Sequence, residues 1–268
     1  MSGTNAYYVY CVVEKSAAAE VLQQKSPVAI EESSALELID HDDLSSVVSQ
    51  VSLQDYGEET LAARLTDASW TAIRAMRHEH VVEHFSRRTS TVPLRFGTIY
   101  LDRRGIETML REQEAQLTAI LARLKDREEW GVNVYCDRAV LLENITNVSP
   151  RLRELTAEAK KASAGQSYLL QKKIETLKTD EAKVEMARAA EQIEKRLADE
   201  SEGASKLRIL KVETTEHGEL KAKFAFLVVK SNFKSFHQVA EELARELAQA
   251  GIRIELTGPW PAYNFATV

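Results

Sequence analysis

Residues 7–13, "YYVYCVV", decide the fold of the N-terminal half of the chain. The run joins aromatic and β-branched residues without a charge, which is typical of a strand covered on both faces. A second run, "KFAFLVVK" at residues 223–230, has the same character in the C-terminal half. We therefore expect each run to lie at the centre of its own β-sheet.

The segments after the first run predict one α+β domain. A short helix at "EKSAAAEVLQQ" precedes two strands, "ALELID" and "SSVVSQVSL", which flank the turn "HDDL" as a hairpin. A long amphipathic helix then runs from Glu58 to about Phe85, and "TVPLRFGTIY" at 91–100 returns to strand character. The helix should turn one apolar stripe toward the sheet, made of Leu61, Leu65, Ala68, Ala72 and Met76.

The second half repeats this order. "WGVNVYC" at 130–136 alternates as a half-buried strand does, and helices from Pro150 to about Asp199 break near "SAGQS". "KLRILKV" and "KAKFAFLVVK" form a hairpin, followed by a helix carrying Phe236 and by the strand "IRIELT". We predict an α+β fold of two domains, each a ferredoxin-like (βαββαβ-type) antiparallel sheet with helices packed on one face.

The predicted boundaries follow from these elements. Residues 1–102 form the N-terminal α+β domain, a single helix within 103–128 links the halves, residues 129–258 form the C-terminal ferredoxin-like domain, and 259–268 are a Pro/aromatic tail. The linking helix, from Gly105 to about Lys125, carries apolar residues at near-heptad spacing, which favours packing against another helix.

Composition excludes several classes of function. The chain has 268 residues and a net charge of −6, so it lacks the positive field that gathers proteins onto nucleic acid or anionic membranes. It shows no basic leader and no long apolar run, which predicts a cytoplasmic protein. Cys11 and Cys136 each lie in an apolar strand, which indicates two buried thiols; a disulfide between them is the alternative.

Only "HEHVVEH" at residues 78–84 resembles a catalytic motif. His80 and His84 are four apart with Glu83 between them, a pattern that can hold zinc beside a catalytic base. A third ligand is not evident, and histidines near the end of a helix also interact favourably with its dipole. The chain has no P-loop or nucleophile-elbow motif, so we predict no enzyme, no metal and no cofactor.

The candidate interface residues are aromatic or arginine. Arg95 and Phe96 lie in the predicted strand "VPLRFGTIY", and Trp130 opens "WGVNVYC". Trp260 and Tyr263 belong to the terminal "TGPWPAYNF". Arginine and aromatic residues dominate interface hot spots, but Arg95 can equally face solvent from an edge strand. The tail can equally close the second domain or fill a groove between the domains.

Four motifs in order, "VPLRFGTIY", "EEWGVNVYCD", "SAGQSYLLQKKIE" and "ELTGPWPAYNF", resemble the gas vesicle protein F / gas vesicle protein L family over essentially the whole chain. The resemblance implies a non-enzymatic minor wall component or assembly factor of gas vesicles, without a cofactor or metal. Its partners would be the small, very hydrophobic main shell protein and other gas vesicle accessory proteins. The alternatives from the residues are a ferredoxin-like ligand-binding or regulatory module and, behind it, a metal-dependent hydrolase.

Overall fold

The computed structural model describes residues 5–209, 214–215 and 218–266. It contains helices and two antiparallel sheets, and the chain divides into two units. The first unit is Met1–Glu128 together with Trp260–Val268, and the second unit is Glu129–Pro259. The predicted α+β class with two sheets is confirmed.

The first unit follows the predicted element order. Its elements are β1 (Asn5–Glu14), α1 (Lys15–Gln23), β2 (Leu36–His41), β3 (Leu44–Ser52), α2 (Leu53–Tyr56), α3 (Glu58–Arg64), α4 (Ala68–Ser86), β4 (Thr91–Pro93), β5 (Ile99–Tyr100), α5 (Arg103–Glu112) and α6 (Glu114–Leu124). The sheet order is β2-β3-β1-β4, and β5 also pairs with β1. β1 therefore lies inside the sheet, as its apolar run predicts.

The core of this unit forms where β1 meets α1 and α4. The register between β1 and β3 shifts between Val9 and Cys11, which is an irregularity of the β-bulge type. Tyr8, Tyr10 and Cys11 are all fully buried in one cluster with Val82 and other residues of α4. This packing brings the Tyr8 hydroxyl to His78 of α4, where the candidate site is built.

The predicted apolar stripe on the long helix is wrong beyond Leu61, which packs against the core of this unit. Leu65, Ala68, Ala72 and Met76 are exposed, and α4 instead buries the opposite side, with Trp70, His78, Val81, Val82, His84 and Phe85. The segment is two helices, because the chain turns at residues 65–67 and the side chain of Asp67 caps α4 by accepting from the backbone N–H groups of Ser69 and Trp70. A break of this kind resets the helical phase, so the stripe does not continue across it.

The predicted single helix from Gly105 to Lys125 is also two helices. α5 and α6 are interrupted at Gln113. Both contact strands of the first sheet, using buried apolar residues that include Ile106, Leu110, Leu117 and Leu121. Near-heptad spacing therefore marks sheet-facing surfaces here and not a helix-to-helix seam.

The second unit has the ferredoxin-like sheet order β10-β6-β9-β7, with the first and third long strands in the middle. Its elements are β6 (Arg127–Cys136), α7 (Arg138–Val148), α8 (Pro150–Lys161), α9 (Ala164–Ala198), β7 (Gly203–Lys206), β8 (Thr214–Thr215), β9 (Gly218–Val229), α10 (Phe233–Leu247) and β10 (Ile252–Trp260), with 3-10 turns at Lys230–Asn232 and Ala248–Ala250. Part of "KLRILKV" lies outside the described residues.

Several local predictions in this unit are confirmed. Val132, Val134 and Cys136 of β6 enter the core, and the helices break near "SAGQS", where Ser163 precedes α9 as its N-cap in a capping box with Gln166. α7 was not predicted, although Asp137 caps it in the usual way.

Cys11 and Cys136 are both free and buried. Among helices in the described residues, none combines the length and apolar composition that crossing a membrane requires.

Candidate functional site

A chain of hydrogen bonds in the first unit joins the tail to the core. The Nδ1 atom of His78 lies 3.0 Å from the Tyr8 hydroxyl, and its Nε2 atom lies 3.0 Å from the Tyr263 hydroxyl. The Gly97 N–H donates to the Tyr8 oxygen at 3.0 Å, and the Tyr263 hydroxyl donates to Glu79 Oε1 at 2.9 Å. These residues come from β1, α4, the loop before β5 and the tail.

The directions of these bonds select one tautomer of His78. Since the Tyr263 proton goes to Glu79, the Tyr263 oxygen accepts from His78 Nε2–H. The Nδ1 lone pair is then free to accept from Tyr8. Burial raises the pKa of the Tyr8 and Tyr263 hydroxyls, so both remain donors. Both nitrogens of a nearly fully buried imidazole are thereby satisfied, as stability requires.

Acid should weaken this arrangement through His78. Burial lowers its pKa to about 4, so between that value and the ordinary value of about 6.5 the unfolded chain binds a proton that the folded chain excludes. Stability should fall as pH drops through this window, by at most about 1.4 kcal/mol per pH unit. Urea unfolding at stepped pH should show that His78→Gln flattens this slope. The raised pKa of Glu79 changes stability in the opposite direction, but it does so equally in the intact protein and in the His78→Gln variant. Equal pH slopes for these two proteins would contradict the role given to His78.

The tail lies on the first unit. Tyr263 packs against the first core cluster, Pro261 and Ala266 are buried, and an Arg123 guanidinium donates to the Phe265 carbonyl. Sequence reasoning placed the aromatic tail against the second domain or between the domains. Tyr263 instead packs within the first unit because α4 supplies the two groups that bind its hydroxyl.

Tyr263→Phe tests the polar part of this attachment. The change keeps the ring but leaves His78 Nε2–H without its acceptor, so the free energy of unfolding should fall by about 1 to 3 kcal/mol. Urea unfolding of the variant measures this loss. Tyr168→Phe is the matched control, because the Tyr168 side chain is exposed and its loss should stay within about 0.5 kcal/mol. Equal effects would show that the hydroxyl of Tyr263 contributes nothing particular.

The predicted interface residues fall in different surroundings. The strand predicted at 91–100 is two short strands, and exposed Arg95 lies in the turn between them. Phe96, beside it, is half-buried with its ring centroid 6.3 Å from that of Tyr8 and 5.8 Å from that of His78. Phe96 and Tyr263 therefore both contact His78. The sequence did not indicate that these two residues share a neighbour.

Trp130 and Trp260, the tryptophans among the predicted interface residues, are not part of the group around His78. Trp130 stacks on Phe233 in the second unit, with centroids 4.2 Å apart and planes at 21°, and its buried Nε1 atom has no hydrogen-bond partner among the residues that the structure describes. Trp260 ends β10 and keeps 53% of its surface exposed. Trp130 therefore contributes to the second core, while Trp260 offers an aromatic surface to solvent.

The histidine motif supports the core. His84 is buried, with Nε2 3.1 Å from the carbonyl oxygen of Val21, while His80 is exposed. Within the described residues, His41, Asp42 and Glu114 are the group whose ligand atoms could meet at a cation, and it shares no residue with the motif. His41 and Glu114 are half-buried and Asp42 is exposed, and exposed acidic groups of this kind are common without a bound ion.

The outer side of α4 presents apolar side chains to solvent. Ile73 is 45% exposed and Met76 is 54% exposed, and the exposed Ala72 lies on the same side of the helix, one residue before Ile73 and four before Met76. We call Ala72, Ile73 and Met76 the α4 patch. Exposed Leu65 precedes it at the end of α3. Neighbouring apolar residues at helical spacing that find no cover in their own fold are typical of an interaction surface.

Sequence reasoning missed His78, Glu79, Tyr8 and Ile73. His78 and Glu79 stand inside "HEHVVEH", but that stretch drew attention for its zinc-like spacing. The partners of His78 are 70 and 185 residues away, so no local pattern could reveal them. The exposure of Ile73 could have been found from the turn-forming "LTD" that breaks the helix.

The two antiparallel sheets and their strand orders define an α+β protein of the ferredoxin-like type in each unit. The chain belongs to the gas vesicle synthesis protein GvpL/GvpF family, whose model matches residues 6–267. It is 29% identical to gas vesicle protein L of Streptomyces sp. (strain CB03234) over 233 residues, covering 86% of this chain and 83% of that protein. It is 26% identical to gas vesicle protein F of the same strain, covering 71% and 76%.

Solved structures show the same fold. The crystal structure of GvpF from Anabaena sp. PCC7120 superposes with a TM-score of 0.69 at 17% identity, covering 98% of this chain and 97% of that one. GvpF from Microcystis aeruginosa gives a TM-score of 0.61 at 14% identity, covering 98% and 99%. The family is one of gas vesicle proteins and not a known enzyme family, so it links this chain to gas vesicles.

Proposed function

We propose that the protein acts in gas vesicle formation as a minor wall component or assembly factor that binds the main hydrophobic shell protein, without catalysing a reaction. Family membership supports the gas vesicle role. The α4 patch is the observation that supports binding, because it is an apolar surface on a well-packed helix. Other gas vesicle accessory proteins are further partners in this proposal, and nucleic acid and membranes are not.

The proposed contact has a physical reason. A shell protein that lines a gas space carries large apolar surfaces, and these aggregate in water before they are assembled. A partner with net charge −6 and an apolar patch can cover such a surface while its charge keeps the complex dispersed. Ile73 and Met76 would then make the apolar contact.

Complementation in cells tests this role. A strain that lacks the gene should form gas vesicles again when it expresses the intact chain. Ile73→Glu with Met76→Glu should not restore them, although the variant should accumulate at the normal level, because both positions are exposed. Full restoration by the variant would contradict the role given to the α4 patch.

A ligand-binding or regulatory module is the second candidate, and one observation favours it. A cleft of about 650 Å³ opens in the second unit beside α9, within the size range of small-molecule sites. Its lining includes Leu141, Ala182, Met186 and Ala190. A compound that binds there should raise the melting temperature by an amount that grows with the logarithm of its concentration over its Kd, and a small-molecule screen by thermal shift would detect it.

A further inference from the structure

The hairpin of α8 and α9 carries a local concentration of positive charge. Lys160, Lys161, Lys172 and Lys173 are all exposed, and no acidic residue occurs between Ala159 and Ile174. We call residues 160–173 the hairpin tip. None of its lysines pairs with a carboxylate in the part of the chain that the structure describes. The tip is therefore basic within a chain whose net charge is −6.

The same tip exposes two large apolar side chains. Ser167, Leu170 and Ile174 recur at helical spacing and are more covered, which marks the side of α9 that faces α8. Tyr168 and Leu169 lie away from that side and are 57% and 67% exposed. Lys172 Nζ lies 5.2 Å from the centre of the Tyr168 ring, within cation–π range. The outer face of α9 thus combines an aromatic ring, a leucine and lysines.

Helix stability explains only part of this composition. Lys160 and Lys161 lie in the last turn of α8, where positive charge interacts favourably with the helix dipole. Lys172 and Lys173 lie beyond the first two turns of α9, where the dipole gives them no such benefit. Leu169 is mostly exposed, so it adds little to the packing of its own unit. The helix dipole and core packing therefore leave Lys172, Lys173 and Leu169 unexplained, and exposed residues of these kinds are typical of a contact surface.

We propose that the hairpin tip docks an acidic, apolar segment of a partner protein, in the manner of an amphipathic helix with carboxylates on one side. Tyr168 and Leu169 would contact its apolar residues, and the lysines would face its carboxylates. A short segment meets only the basic tip. An extended anionic surface such as a bilayer would also meet the negative charge of the rest of the chain. This inference does not depend on the proposed binding to the shell protein.

Fluorescence anisotropy on the full-length protein tests the proposal. The probe is a labelled synthetic peptide of about 18 residues, long enough to form a helix, with leucines on one face and glutamates on the other. The tip variant changes Lys160, Lys161, Lys172 and Lys173 to Gln, which favours helices nearly as well as Lys does. We expect it to bind the peptide roughly tenfold more weakly, because each exposed ion pair contributes modestly. Binding by the intact protein should weaken as salt is added.

Two controls decide the result. Changing Lys25, Lys195, Lys223 and Lys234 to Gln gives the same net charge at exposed positions elsewhere, and this variant should bind as the intact protein does. Leu169→Ser should weaken binding several-fold even at high salt. Equal losses in tip variant and charge control would overturn the proposal. So would tip-dependent binding to phosphatidylserine vesicles in the absence of binding to the peptide.

Discussion

Ending the chain after Pro259 is expected to lower the free energy of unfolding of the first unit by about 3 to 5 kcal/mol. The truncation removes the Tyr263 hydroxyl from His78 and Glu79, and it uncovers the core surface on which the ring packs. It also removes the buried Pro261 and Ala266. These residues follow the whole second unit in the sequence, yet they pack on the first unit. The first unit therefore depends on the last residues of the sequence.

Urea unfolding measures this loss, and hydrogen exchange locates it. Protection should fall in β1 and α4, while strands β6 and β9 of the second unit keep theirs. A chain that ends after Ala266 is the control, because it keeps Tyr263 and its contacts. Unchanged stability of the shorter chain, with loss of binding to gas vesicle proteins, would show that the tail is a docking segment and not a part of the fold.

Replacing Ile73 and Met76 by Glu is expected to weaken binding to the main shell protein by roughly a hundredfold, because buried charges would replace the apolar contact. Stability should change by less than about 1 kcal/mol, because both side chains face solvent in the folded protein. A binding assay with purified shell protein and a melting curve of each variant separate the two effects.

The matched control places the same charges on other exposed apolar residues. Leu101 is 73% exposed and Val184 is 49% exposed, so Leu101→Glu with Val184→Glu also replaces two exposed apolar side chains and adds the same two negative charges. This variant should bind the shell protein as the intact chain does. Equal weakening by both double changes would indicate a general charge effect and would remove the argument for the α4 patch.

The elements predicted well are those whose signal is local. β1 and β9 are continuous apolar runs, and α10 buries Phe236, Ala240 and Leu243 at the spacing that the sequence shows. Such patterns arise from the periodicity of one element and need no knowledge of its neighbours. The sheet positions of β1 and β9 followed from the same runs, because only an inner strand is covered on both sides.

The failures have two physical causes. The stripe through Leu65 and Met76 was assigned to the core because alanine and methionine suit both a buried face and an exposed one. The cap by Asp67 begins a new helix, and this new start determines which side of α4 faces the core. The polar chain through His78 was not predictable because its partners come from β1 and the tail. Hydrogen bonds between distant segments leave no periodic trace in a single sequence.

Direct binding of the purified chain to the purified main shell protein is the most telling measurement. The intact protein and the Leu101→Glu, Val184→Glu variant should bind with the same Kd, and the Ile73→Glu, Met76→Glu variant should bind roughly a hundredfold more weakly. Absence of binding by the well-folded intact protein would contradict the proposed contact, and it would leave the ligand-binding role of the cleft beside α9 as the better account.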